Sequence, residues 1–146
     1  MIVADTSGLL AALASDEPAH ATTLAAIESD PAPLVVSPFV LAEVDYHVVS
    51  RMGVDTDIDF LADVARGGYV LASFEGEEVA QAAAVISRYR DLAIGLADAS
   101  IVVLAGRYRT NRVLTLDERH FRALRTPTGE PFVVLPADAP CRSKRP

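Results

Sequence analysis

Leu34-Val35-Val36-Ser37-Pro38-Phe39-Val40-Leu41 opens a unit that closes at Gly53. The apolar β-branched run reads as a short strand. Ser37 is a helix cap with Pro38 at the first helical position, and Gly53 falls just past the last apolar turn. Phe39, Val40, Leu41, Val44 and Val48 recur at helical spacing, so the helix buries one stripe beside the strand that feeds it.

The same alternation repeats on both sides of this unit. Strands are predicted at residues 1–4, 34–36, Tyr69–Ser73, Val113–Leu116 and Phe132–Leu135. Helices are predicted at Ser7–Ala14, Pro18–Glu28, Pro38 to Gly53, Thr56–Arg66, Glu77–Arg90, Leu96–Arg109 and Glu118–Leu124. Short strands alternating with longer helices specify an α/β fold around a parallel sheet. The 146 residues, 51% of them hydrophobic, suffice for one domain with its own core. No linker or repeat divides the chain. From Ala137 the aperiodic, proline-bearing sequence predicts a frayed tail over 137–146.

A lone cysteine, Cys141, can form neither an internal disulfide nor a cysteine zinc site, which suits a reducing cytoplasm. No apolar run reaches the ~18 residues of a membrane span, so a soluble cytoplasmic protein is expected. The net charge of −7 argues against nucleic acid until position is considered. Residues 1–106 hold 4 arginines and 16 acids, whereas residues 107–146 hold 9 lysines and arginines and 4 acids. The second stretch reads as a basic rim on an acidic body.

Four acids occupy unusual positions. Asp5 directly follows Ile2-Val3-Ala4, and Asp117 directly follows Val113-Leu114-Thr115-Leu116. Ligands bind outside the C-terminal ends of parallel strands, although each acid also reads as a helix cap. Asp98 stands in a helix that is apolar almost all round, with no Lys or Arg within a turn, so its counter-charge must come from elsewhere. Glu43 lies at the edge of an apolar stripe and reads either as a site residue or as an interface group paired with His47. If the four converge, their oxygen-only donor set suits hard Mg²⁺ or Mn²⁺ and the hydrolysis of a phosphodiester. His20, His47 and His120 lack metal-ligand spacing and read as surface or core-edge histidines. Haloacid-dehalogenase phosphatases need a second Asp where Ser7 stands, and receiver domains need a late lysine where only Lys144 exists. No G-x-G-x-x-G or P-loop pattern is present.

In order, Val3-Ala4-Asp5-Thr6-Ser7, Ser37-Pro38 with Leu41-Ala42-Glu43-Val44-Asp45-Tyr46, Gly95-Leu96-Ala97-Asp98-Ala99 and Leu114-Thr115-Leu116-Asp117-Glu118-Arg119-His120-Phe121 resemble the PIN-domain family. More narrowly they resemble the VapC toxins of bacterial type II toxin–antitoxin systems, above all those of mycobacteria. The resemblance spans residues 1–136. It implies a three-layer α/β/α fold with a five-stranded parallel sheet of order 3-2-1-4-5, a homodimer and an Mg²⁺- or Mn²⁺-dependent endoribonuclease. It also implies a VapB-type antitoxin as partner, in a larger heteromer. Asp5, Glu43, Asp98 and Asp117 match the family's acidic quartet, and Thr6, Ser7 and Thr115 match its supporting hydroxyls. On this reading Asp5, Asp98 and Asp117 hold the metal, and Glu43 orients the attacking water. Arg107, Arg109, Arg112, Arg119 and Arg122, with Arg125, are expected to hold RNA phosphates. The implied substrate is the ribosomal sarcin–ricin loop or a tRNA. The competing classes are a non-catalytic interaction module and a DNA- or structure-specific nuclease.

Overall fold

A computed structural model describes residues 1–140. The strands are β1 (Val3–Ala4), β2 (Val35–Val36), β3 (Val70–Leu71), β4 (Arg112–Leu114) and β5 (Val133–Leu135). The helices are α1 (Thr6–Leu13), α2 (His20–Glu28), α3 (Pro38–Met52), α4 (Val54–Ala65), α5 (Gly76–Arg88), α6 (Leu96–Arg107) and α7 (Glu118–Ala123). All five strands run parallel in the order β3-β2-β1-β4-β5, as expected. The chain steps from β1 through β2 to β3 on one side and then returns past β1 to β4 and β5 on the other, so the two sets of crossovers travel in opposite directions. Right-handed connections then lie on opposite faces of the sheet and give three layers.

The ladder is shorter than the apolar runs that encode it, because hydrogen-bonded pairing ends where the neighbouring strand ends. Val3, Ala4, Val35, Val36, Val113, Leu114 and Val134 are wholly buried, whereas edge strand β3 leaves Leu71 half exposed. Val40, Val44 and Val48 of α3 are also wholly buried, each contributing roughly 1.5–3 kcal/mol by leaving water. Ser37 Oγ accepts from the backbone N–H of Phe39 and Val40 at 3.2 Å each and lies 2.8 Å from Ser100 Oγ, tying α3 to the buried helix α6.

Helix α2 starts at His20 and not Pro18, α6 ends at Arg107 and not Arg109, and two further boundaries depart for a local reason. Gly53, at φ 93°, ends α3 and immediately starts α4, so α4 begins at Val54 and not at Thr56. Helix α5 stops at Arg88, and a 3-10 turn follows at Arg90–Leu92.

Residue 138, within the expected tail, is fastened to the sheet. Asp138 accepts from the Val134 backbone N–H at 2.8 Å and pairs with Arg122 at 2.6 Å, which fastens the turn after β5. The rest of the expected tail, residues 141–146 with Cys141, lies outside the described residues. At the other end of the chain, Gly8 lets α1 approach β4. A Cβ there would stand 2.4 Å from the backbone oxygen of Leu114.

Candidate active site

The strand-order reversal opens a crevice beyond the C-terminal ends of β1 and β4, and the acids collect there. Asp5, Glu43, Asp98 and Asp117 line one cavity of about 580 Å³ together with Thr6, Ser7, Gly95 and Ala97. Asp5 enters from the end of β1, Glu43 from α3, Asp98 from the first turn of α6 and Asp117 from the start of α7.

Asp5 occupies the cap position of α1, but its side chain makes no capping bond. Instead its Oδ2 accepts from Ser7 Oγ and Thr115 Oγ1, each at 2.7 Å. Thr115 Oγ1 also accepts from the Asp117 backbone N–H at 2.9 Å, and Ser7 Oγ from that of Leu116 at 2.9 Å. These bonds fix β1, α1 and the β4–α7 turn to one another. Thr6 Oγ1 donates to Glu43 Oε2 at 2.6 Å, so Glu43 is held by a hydroxyl and not by His47. Asp117 does cap α7, accepting from the His120 N–H at 3.1 Å, while its side chain stays part-exposed to the cavity.

Burial pushes the Asp5 carboxyl up, against the opposing pull of the Ser7 and Thr115 hydroxyls. Asp98 is pushed up to about 6, first by burial and then by the charge of Asp5. His120 opposes that shift, and Asp117 and Glu43 reinforce it. Four carboxylates therefore share one electrostatic site, and among the described residues no Lys or Arg pairs with any of them.

The nearest basic group is one the sequence reading set aside. His120 Nδ1 lies 3.2 Å from Asp98 Oδ2 and 3.0 Å from Asp117 Oδ2, aligned for a hydrogen bond with neither. His120, half-buried against two of the four acids, is thus a core-edge histidine that borders the cluster and not a surface one. Its spacing of three from Asp117 on a short helix was the available signal; its approach to Asp98 depends on how α6 and α7 meet. His47 and Arg51 were also missed as cavity residues. They line the same cavity four and eight residues after Glu43, on one stripe of α3.

None of the arginines of the expected basic rim lines the cavity. Arg107 ends α6, about 14 Å along the axis from Asp98, where it pairs with Glu78 at 2.6 Å and donates to the Ser73 carbonyl. Arg109 follows in a left-handed turn at φ 50°. Arg112 is the first residue of β4, at the opposite edge of the sheet, and pairs with Asp30 at 2.6 Å. Arg122 is engaged by Glu118 and Asp138, and Arg125 by the carbonyls at the end of α7. Arg119 remains exposed on α7.

A family model described as PIN domain matches residues 2–126. Ribonuclease VapC26 of Mycobacterium tuberculosis is 48% identical over 135 residues, which cover 92% of this chain and all of that relative. Among solved structures, the crystal structure of M. tuberculosis VapC20, a sarcin–ricin loop cleaving toxin, superposes with a TM-score of 0.74 at 19% identity. It covers 81% of this chain and 91% of its own. A toxin–antitoxin complex from Klebsiella pneumoniae gives 0.65 at 16% identity, covering 85% and 92%. At those identities the two structures speak for the fold alone.

Proposed function

The chain belongs to the PIN-domain family and is a homologue of the VapC ribonuclease toxins, and from that premise we propose that it is an endoribonuclease toxin acting through Asp5, Glu43, Asp98 and Asp117. The observation that carries this reading is the convergence of four carboxylates on one cavity at the strand-order reversal, with no Lys or Arg paired to them among the described residues. Helix caps have no reason to share a site at such electrostatic cost. A converged acidic cluster does, because it holds a cation.

The donor chemistry fits a divalent metal. Three aspartates and a glutamate offer only oxygen, which suits Mg²⁺ or Mn²⁺ and not zinc. Among the described residues no three His, Cys, Asp or Glu groups already form a closed ligand set, so the fit lies in donor type and charge. Asp5, Asp98 and Asp117 would hold the metal. When bound, it supplies Lewis-acid polarisation of the phosphodiester and offsets the charge that develops there.

The chain's own groups do the rest. Thr6 holds Glu43 Oε2, leaving the carboxylate to orient the attacking water and accept its proton. Ser7 and Thr115 fix the rotamer of Asp5. His120 keeps Asp98 and Asp117 facing one cavity.

The substrate is a structured RNA, the ribosomal sarcin–ricin loop ahead of tRNA, whose unstacked bases and 2′-hydroxyls distinguish it from DNA. The inhibitor is a VapB-type antitoxin that offers a basic side chain to the acids, within a larger heteromer of a VapC homodimer. To test the central reading, the purified protein is incubated with synthetic sarcin–ricin stem-loops, tRNA and all-deoxy analogues, with Mg²⁺, Mn²⁺ or EDTA. Cleavage of an RNA only in the presence of metal is expected. Cleavage in EDTA, or of the deoxy strand alone, overturns it.

A further inference from the structure

The proposed nuclease needs something to grip its substrate, because an acidic cavity repels the phosphates it must cut. The cavity itself supplies a candidate grip. From the four acids it continues between α1 and α3. Asp16 and Glu17, in the loop after α1, and His47, Arg51 and Met52 of α3 line it as well. Glu43, His47 and Arg51 recur every four residues and so stand above one another on α3. Arg51 lies about 12 Å beyond Glu43 along the helix axis.

Resting on the nuclease reading, we propose that Arg51 binds an RNA phosphate neighbouring the scissile one and guides the strand along the α3 wall. Arg51 is exposed and opens on the catalytic cavity, and no carboxylate among the described residues pairs with it. Arg107, Arg112 and Arg122 each have an acidic partner already. A guanidinium presents a planar fork suited to two phosphate oxygens. Asp16 and Glu17, which line the same cavity, repel the backbone and favour the α3 side as its path. The offset from the acids places the grip on a flanking nucleotide, clear of the reacting centre.

Arg51 also stands in the last turn of α3, where any cation favours the helix dipole. The test separates the two roles. Cleavage of the best RNA substrate is measured from low to moderate salt for wild type, Arg51→Gln, Arg51→Lys and Arg66→Gln. The last removes an equal charge from an exposed position at the end of α4, outside the cavity. For Arg51→Gln the expected result is a roughly fivefold rise in KM at low salt with kcat within about twofold. Its plot of log kcat/KM against log salt should be shallower by about 0.7, the share of one single-strand phosphate contact. Arg51→Lys should fall between the two, and Arg66→Gln should match wild type.

An Arg51→Gln protein with wild-type KM and salt slope overturns the proposal, even if it melts lower. So does an equal loss in Arg66→Gln. A variant that keeps its RNA kinetics but escapes the antitoxin assigns the guanidinium to a protein partner and overturns the RNA contact. A wild type that cuts no RNA overturns the nuclease reading as well, so the two failures are distinguishable.

Discussion

The two edges of the sheet treat a carboxylate in opposite ways. At the edge where the strands begin, Asp30 receives the Met1 ammonium, the Arg112 guanidinium at 2.6 Å and the Ala32 N–H at 3.0 Å. The ammonium and the Ala32 N–H hold its carboxyl below the usual range, against a smaller opposing effect of burial, and Arg112 adds to them. At the edge where the strands end, burial and mutual repulsion push Asp98 up to about 6, and the nearest basic group is the His120 imidazole, which it shares with Asp117. A buried acid alone therefore marks nothing. What separates scaffold from site is whether the fold also provides a matched cation.

Neutralising one acid at each edge separates the two most directly. Asp98→Asn and Asp5→Asn should lower metal-dependent RNA cleavage by roughly three orders of magnitude, about 4 kcal/mol of transition-state stabilisation. Asp30→Asn should leave the rate per folded molecule near wild type. Single-turnover assays decide, and wild-type cleavage by Asp98→Asn would remove the distinction between the edges.

Equilibrium unfolding in urea should give the reverse pattern. Asp30→Ala strips three charge-assisted bonds and should cost about 2 kcal/mol, with Arg112→Gln costing about half as much. In EDTA, Asp98→Asn should be as stable as wild type or more so. A strongly destabilised Asp98→Asn would make Asp98 a structural residue.

The smallest effect is the most specific, because it changes sign between edges. A carboxyl whose pKa is raised on folding stabilises below its unfolded value, and that stability is lost as pH rises through the folded one. For Asp98 the window runs from 3.8 to about 6. In EDTA, the advantage of Asp98→Asn over wild type should therefore grow to about 1–2 kcal/mol between pH 4 and 7. Asp30 is lowered, so its stabilisation is present above 3.8 and fades as pH falls through its folded value. The advantage of wild type over Asp30→Asn should shrink toward acid. Unfolding curves at several pH values check both slopes, and parallel slopes would mean that the edges do not differ electrostatically.

The same contrast explains what could be read from the sequence. The alternation of strands and helices and the four acids were legible because their signals are local, whereas the strand order came only with the family resemblance. Asp5 and Asp117 directly follow apolar runs, and Asp98 and Glu43 interrupt or border them. The partners of the arginines were not legible because ion pairs are set by the assembled fold: Arg112 finds Asp30 82 residues away, and Arg107 finds Glu78 29 residues away. Clustering in sequence made them look like one surface, whereas α6 carries Arg107 and β4 carries Arg112 away from the acids, and only α7 keeps its arginines near Asp117. His120 escaped notice for a similar reason, since half of its environment comes from another helix. Gly53 was read only as a stop, although its positive φ lets one residue end α3 and start α4.

Gly8 carries a consequence for genetics. Its missing side chain allows α1 to lie against the Leu114 carbonyl, one residue before Thr115 and close to Ser7. Any replacement must push α1 off β4, and with it the hydroxyl that holds Asp5. Cells that survive induction of the toxin should thus include carriers of changes at codon 8, although that codon specifies no acid, donor or nucleophile.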